Sequence, residues 1–512
     1  MDGDLRLADL LAALSVATDL GMGHEPEKAV CACLLATELA RTCDLPEPQV
    51  RDVYYTSMLQ HLGCTAPAHE LTYMVGDERS FLAQAERTDD TTLRGSLELM
   101  GLVGQGSGVR RPQYLTRMLA AGKDGGTTIM RATCEVGSRM AERLHLGDRV
   151  VAALRSSTEV WNGGTGAFGH AGEAIPVPAR FALLSSQVVI FDRLGGPDAA
   201  IAMVRERAGR WFDPEVADTF LRTGRDLLHH LAGADLWSEV LAVEPAPNRL
   251  IPGSQLDEVA RVFADMVDLK TPFTLGHSSG VAELATSAAE RLGFSTDQVT
   301  TLRRAALLHD LGRVAVSGVV WEQPGPLTAT QWEQVRLHPY HTERILDRSE
   351  VLAPLARIAG MHHERLDGTG YHHRLSGPAI PVEARLLATA DAFQAMTQDR
   401  PHRTALSPEQ ATETLEAATA AGGFDVECTR AVIEAAGQRP ARRERAWPAG
   451  LTDREVDVLR VLARGASNRE IAEELVISRR TAEHHVQHIY AKIAASTRAA
   501  AALFAMEHGL LR

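Results

Sequence analysis

Long hydrophobic runs are missing: no apolar stretch of the 512 residues approaches the ~20 that a membrane span needs, and the opening MDGDLRLADLL lacks the basic region of a secretory leader. No membrane partner is therefore expected, and the cytoplasm is the expected compartment. Cysteine is scarce. Cys31, Cys33, Cys43, Cys64, Cys134 and Cys428 form no paired framework, and they read as buried free thiols. Excess positive charge is absent too. A net charge of −13 excludes nucleic acid coating the whole surface, but leaves room for one small module that grips DNA. The glycine-rich GLVGQGSG at 101–108 lacks the Lys-Ser/Thr of a phosphate-binding P-loop and reads as a flexible loop. What is present, 45% apolar and 23% charged residues, fits neither a disordered chain nor a coiled coil. The length suits about three domains.

Two stretches read as linkers, EPAPNRLIPGS at 244–254 and the basic GQRPARRERAWPAG at 437–450. They divide the chain into 1–245, 253–436 and 449–512. The first two pieces repeat each other in order. GHEPEKA at 23–29 matches GHSSGVA at 276–282, MLQHLG at 58–63 matches LLHDLG at 307–312, and TEVWNGGTG at 158–166 matches HERLDGTG at 363–370. PVPARFALLSS at 176–186 then matches PVEARLLATAD at 381–391. The chemistry is not shared. Gln60 and His61 stand where the second copy has His309 and Asp310, and Ser157, Thr158 and Ser186 where it has His362, His363 and Asp391. In this alignment only His24 survives, opposite His277, so the first copy is not expected to bind the same metals.

Both copies read as helical. His277, Val281, Leu284 and Ala288 share one helical face, as do Leu302, Ala306 and His309, so polar residues turn inward with the apolar stripe. Nine of the 20 histidines lie between His277 and His402. A lone histidine on such a face is usually a satisfied core residue. Several beside a His-Asp pair would each cost ~1–3 kcal/mol without partners. Metal ions remove that cost by using imidazole nitrogens and carboxylate oxygens together.

HDLGR at 309–313, HPYHT at 338–342, HHERLDGTGYHH at 362–373 and ADAFQAMTQDRPHR at 390–403 resemble the HD-GYP class of the HD phosphohydrolase superfamily, over about 255–430. The resemblance implies an all-α domain, two divalent ions (Fe or Mn), and hydrolysis of the cyclic dinucleotide c-di-GMP. It assigns His277, His309, Asp310 and Asp391 to one ion and His338, His362 and His363 to the other, with Asp310 shared. A carboxylate suits that role because it offers one oxygen to each cation. Two such ions lower the pKa of a shared water and clamp a phosphodiester. Arg313, Arg400 and Arg403 are the expected phosphate-binding cations. The chain departs from the family pattern at four places. Phe273 stands where some members carry a third-site Glu, Arg313 replaces a Lys, His372 replaces the GYP proline, and Gln394 replaces an Asp.

Residues 451–493 carry two successive capping boxes, Thr452 with Glu455 and Ser467 with Glu470, and a third N-cap at Ser478. In the helix that follows, Ala482, Val486, Ile489 and Ile493 face inward. This pattern resembles the four-helix LuxR-type helix-turn-helix domain over nearly all of 449–512. The resemblance places helix 478–493 in the major groove, with Arg479, Arg480, Thr481, Glu483, His484 and His488 contacting DNA and a homodimer on paired half-sites. The module holds nine basic and eight acidic residues, and the arginines of the 437–450 linker would add phosphate attraction.

The sequence thus describes a one-component regulator: a degenerate helical copy, a metal-dependent phosphodiesterase-type copy and a DNA-binding module. Three alternatives stay open. The metal domain senses its nucleotide without efficient turnover, it acts on another nucleotide, or the C-terminal bundle binds protein instead of DNA.

Overall fold

The computed structural model describes residues 4–437 and 447–511. The arginine arm expected at 439–445 falls outside them. The fold is all-α, with one short antiparallel ribbon among the described residues, Asp4–Arg6 against Leu250–Pro252. Two compact units emerge, Met1–Glu258 and Val259–Arg512. Among the described residues no helix is long and apolar enough to cross a membrane, and all six cysteines are free thiols.

The first proline-rich stretch is not an open linker. Leu250–Pro252 is the ribbon's second strand, and buried Glu244 accepts hydrogen bonds from Tyr55 Oη (2.7 Å) and the backbone amide of Arg249 (3.0 Å). Prolines at 245, 247 and 252 punctuate a packed turn in this case.

The repeated helices can be matched by their internal supports. In the first unit they are Leu7–Gly21, Lys28–Thr42, Glu47–Met58 and Val177–Arg207. In the second they are Leu256–Asp268, His277–Arg291, Thr296–Leu308 and Val382–Met396. Arg180 donates to the Ile175 carbonyl and pairs with Asp213, and Arg385 does the same with Ile380 and Asp425. Buried Glu159 collects the amides of Phe168 and His170, and buried Glu364 those of His373, Arg374 and Leu375. These carboxylates fix the loops that follow them, since each accepts two or three N–H bonds that water would otherwise have to supply. Between Gly63 and Thr133 the first unit inserts three further helices, Ala68–Val75, Glu78–Ala85 and Leu93–Leu102, and the first half of Arg111–Arg143.

One helix start corrects the sequence alignment. Helix His277–Arg291 follows Gly276, which has φ +70°, and its second amide, on Ser278, donates to buried Asp268. Helix Lys28–Thr42 follows Glu27, also at φ 70°, and its second amide, on Ala29, donates to buried Asp19. The counterpart of His277 is therefore Lys28, and His24 lies before the helix.

In the C-terminal module both expected capping boxes form, and Ser478 caps the helix Arg479–Ile493. Ala482, Val486, Ile489 and Ile493 enter a core with Val456, Leu459, Ile471 and Phe504. Four helices result: Asp453–Ala463, Asn468–Glu474, Arg479–Ile493 and Arg498–Glu507.

Gly312 tests the packing that brings the histidine-bearing segments together. A Cβ there would lie 2.0 Å from the His338 carbonyl oxygen, just as one on Gly63 would lie 2.0 Å from that of Thr133. Gly312→Ala is expected to cost ~1–3 kcal/mol of stability, read by urea unfolding, because backbone must move to admit the methyl.

Candidate metal centre

The centre is built from helix ends. His309 directly follows helix Thr296–Leu308, His338 opens helix His338–Leu346, and His362 lies just past helix Ala353–Ala359. Each turns its Nδ1 onto the carbonyl three residues back. His309 donates to Ala306 (2.7 Å), His338 to Val335 (2.5 Å) and His362 to Ala359 (2.6 Å). A carbonyl can only accept, so each Nδ1 carries the proton, and in the neutral ring Nε2 presents a lone pair to the interior. Gln398 holds His277 in the same sense, its Oε1 lying 2.8 Å from Nδ1.

Asp310 sits among the Nε2 atoms. Its Oδ2 is 3.8 Å from His277 and 3.5 Å from His309, while its Oδ1 is 3.4 Å from His338 and 3.6 Å from His362. One oxygen thus faces each set of imidazoles. Asp391 completes the first set, with Oδ1 3.1 Å from His277 Nε2. His363 joins His338 and His362 in the second, where one donor atom from each gathers within 4.8 Å. All seven residues expected as ligands are therefore brought together.

Two features show that this arrangement fits divalent cations. The Nε2 of His309 is buried with no hydrogen-bond partner. The Nε2 atoms of His338 and His362 face each other at 3.1 Å, a contact that needs either a cation near both or a proton on His362, which burial would lower but Asp310 raises. Burial pushes His309 down to about 4 and lowers His338, which keeps both rings neutral, as ligands must be. Burial alone would raise the Asp310 carboxyl, but His309 and Arg313 outweigh it and hold it well below the usual carboxylate range.

A cavity of about 740 Å³ opens onto the centre, lined by Phe273, Arg313, Trp321, Trp332, Tyr371 and Arg400 among others. Arg313 Nη1 is 3.3 Å from Asp310 Oδ2, and its guanidinium lies over the Trp321 ring at 3.9 Å. A lysine could not stack in this way. Arg400 donates to the Phe273 carbonyl (2.5 Å), and burial, with Arg313 nearby, pulls it down to about 10, still charged at neutral pH. Arg403 differs from expectation. Its Nη1 and Nη2 donate to the carbonyls of Ala395, Met396, Gln398 and Thr404, so it ties the 395–404 backbone together and has little left to offer a phosphate. Sequence reasoning missed Trp321 and Tyr371, whose ring lies 4.8 Å from that of His363.

The first unit carries different chemistry at the matching positions. Lys28, in the place of His277, is buried, and its Nζ lies 2.6 Å from His61 Nε2, 2.6 Å from Ser186 Oγ and 3.9 Å from Glu86 Oε2. His61 and Ser186 are the counterparts of Asp310 and Asp391, so an ammonium group stands among residues that match metal ligands. Burial would raise Glu86, but Lys28, His61 and His24 hold it below its usual range. His61 is pushed down to about 3, by burial first and Lys28 second.

On the C-terminal module, Arg479, Arg480, Thr481, Glu483, His484 and His488 are all exposed on one helix. His484 and His488 pack ring to ring at 4.0 Å, and Thr481 Oγ1 is 2.7 Å from the capping Ser478.

Comparison with known proteins agrees in kind. The family model described as HD domain matches residues 261–427, and the one described as bacterial regulatory proteins, luxR family, matches 449–505. Over 440 residues the chain is 30% identical to the 3′3′-cGAMP-specific phosphodiesterase 3 of Vibrio cholerae, covering 85% of this chain and 95% of that protein. It is 35% identical over 178 residues to the cyclic di-GMP phosphodiesterase PA4108 of Pseudomonas aeruginosa, covering 34% of this chain and 42% of that protein. The crystal structure of a cyclic GMP-AMP specific phosphodiesterase from V. cholerae aligns with a TM-score of 0.59 and 28% identity, over 86% of this chain and 99% of that one.

Lys28→Met separates the two centres. It leaves Glu86 without its buried cation and should cost ~3 kcal/mol in urea unfolding, the low end for a broken buried pair because the Glu86 side chain is 18% exposed. Metal bound per chain should not change.

Proposed function

The chain belongs to the HD-GYP-type family of metal-dependent phosphohydrolases, and on that premise we propose that it hydrolyses a 3′,3′-linked cyclic dinucleotide and regulates transcription through its C-terminal module. The observation that carries the reading is Asp310, with one oxygen toward His277 and His309 and the other toward His338 and His362. Two divalent ions, Fe or Mn by the mixed N/O donor set, would be held by His277, His309, Asp310 and Asp391 and by His338, His362 and His363, and would supply Lewis acidity and an acidified water. Phe273, in the place of a third-site Glu, supports two ions over three in this centre.

The remaining work falls to side chains. Arg313, stacked on Trp321, and Arg400, fixed by the Phe273 carbonyl, present positive charge to the cavity and would stabilise charge developing on the phosphate. Trp321, Trp332, Phe273 and Tyr371 offer flat apolar faces to purine bases. Water adds across one phosphodiester, the ester oxygen leaves with a proton, and the product is the linear dinucleotide. Both c-di-GMP and 3′3′-cGAMP have this linkage. The relative that matches across most of the chain acts by name on 3′3′-cGAMP, which favours that substrate over the c-di-GMP expected from the motifs.

Domains at 1–245, 253–436 and 449–512 are part of the same reading, with a homodimer on paired DNA half-sites and, from six free thiols, a cytoplasmic setting. With Fe or Mn, the protein should convert cyclic substrate to linear product, and His309→Ala or Asp310→Ala should abolish this. Nucleotide-dependent DNA affinity without turnover would instead establish a sensor. Arg480→Ala should weaken specific DNA binding ~10–100-fold, as for one lost base contact, measured by fluorescence anisotropy. Truncation near residue 440 should remove DNA binding and leave hydrolysis intact.

A further inference from the structure

The altered GYP segment carries a donor set of its own. Glu343, on helix His338–Leu346, faces two consecutive histidines, His372 and His373. The Glu343 Oε2 is 3.1 Å from His372 Nε2 and 2.8 Å from His373 Nε2, and one donor atom from each of the three residues gathers within 4.8 Å. None of these residues belongs to the seven-residue centre. We propose that Glu343, His372 and His373 form a separate site for one divalent cation of the zinc type, which pins the 364–375 loop to helix His338–Leu346.

The geometry is near what such an ion requires. Bonds of ~2.0–2.2 Å in a tetrahedral site put neighbouring donor atoms about 3.4 Å apart, and both histidine nitrogens lie close to that distance from the Glu343 oxygen. Two imidazoles and a carboxylate form a three-residue donor set of the kind zinc accepts, with the fourth position left to water. Hydrogen bonding accounts for His373, whose Nε2 lies 2.8 Å from Glu343, but not for His372. Both ring nitrogens of His372 are buried without a hydrogen-bond partner, because Nε2 is near Glu343 but badly aligned to donate to it. The two rings lie with centroids 3.9 Å apart and planes tilted by 38°, and both Nε2 atoms face one carboxylate oxygen. A cation would use all three donors together.

The loop is already prepared for this. Buried Glu364 holds the amides of His373, Arg374 and Leu375 at 2.8, 3.1 and 2.9 Å, so the segment bearing the two histidines is fixed from behind. Next to them, Tyr371 lies against His363 and lines the cavity. An ion here would stiffen the cavity wall through Tyr371 without touching substrate.

The experiment counts ions on the full chain. Protein loaded with Mn²⁺ is dialysed against micromolar Zn²⁺, and total Mn plus Zn per chain is read by mass spectrometry, so exchange within the catalytic centre does not change the count. Wild type is expected to gain one ion per chain, and His373→Ala and Glu343→Gln to gain none while keeping their initial load. His373 is exposed, so its replacement spares the core. No gain in wild type, or an equal gain in both variants, overturns the site. The catalytic reading fails on a different result, an initial Mn²⁺ load that His309→Ala and Asp310→Ala leave unchanged.

Discussion

A single carboxylate organises the functional part of this molecule. Asp310 is buried among four imidazoles, and no arrangement of neutral protein groups could satisfy it there, since the Nδ1 protons of three of those rings go to backbone carbonyls. Apart from the Arg313 guanidinium on Oδ2, what remains are lone pairs directed at an anion, an assembly whose electrostatics favour further positive charge. The helix ends serve this need. The last turn of a helix leaves carbonyls unsatisfied, and a histidine three residues on uses one of them to set its own tautomer. Fold and ligand field are thus one construction, and Gly312 is the position where the backbone must approach closely enough to complete it.

The first unit shows the same frame with the charge problem solved another way. There the position of His277 is Lys28, that of Asp310 is His61, and that of Asp391 is Ser186, with Glu86 alongside. Where the second unit gathers two carboxylates and five imidazoles, the first holds one built-in cation and one carboxylate. The carboxylate that anchors the following loop persists in both, Glu159 and Glu364, as does the Arg180 or Arg385 bracket. Supports that act on the backbone were kept, and the groups that act on ions were exchanged. This is the pattern expected if the copy is retained for its shape.

Much of this was legible in the sequence because it rests on period and order. Inward periodicity placed His277 and His309 with the core, the His-Asp pair among several histidines pointed to metal, the family resemblance supplied the full donor set, and the capping boxes at Thr452 and Ser467 delimited helices that form as read. The failures have physical causes. His24 was matched to His277 because Gly-His aligns with Gly-His, whereas the helix begins where the chain passes through φ +70°, a property that Gly276 advertises and Glu27 conceals. Pro-rich 244–254 read as a linker because composition cannot reveal that Glu244 is buried beneath it. Arg403 matched a family position, but residue type does not say whether a guanidinium faces ligand or backbone. Trp321 and Tyr371 belong to no spacing rule; they matter only through what the fold stacks on them.

The departures from the family pattern fall unevenly, and their distribution is itself informative. Every one of the seven inward donors is present, while the changes at Phe273, Arg313, His372 and Gln394 lie around them. A ligand set cannot lose a member without stranding a buried charge, at a cost of several kcal/mol. A cavity wall tolerates exchange so long as volume and polarity are met. Variation in this chain therefore spares the inward donors and falls around them: Phe273 and Arg313 line the cavity, whereas His372 sits against Glu343 and Gln394 packs beside Gly280. Arg313 illustrates the distinction: it keeps a positive charge 3.3 Å from Asp310, as a lysine could, yet its stacking on Trp321 gives that charge a fixed plane and direction. On the function proposed above, selectivity among cyclic dinucleotides would follow from such directional contacts at the wall, since the phosphodiester is the same in each.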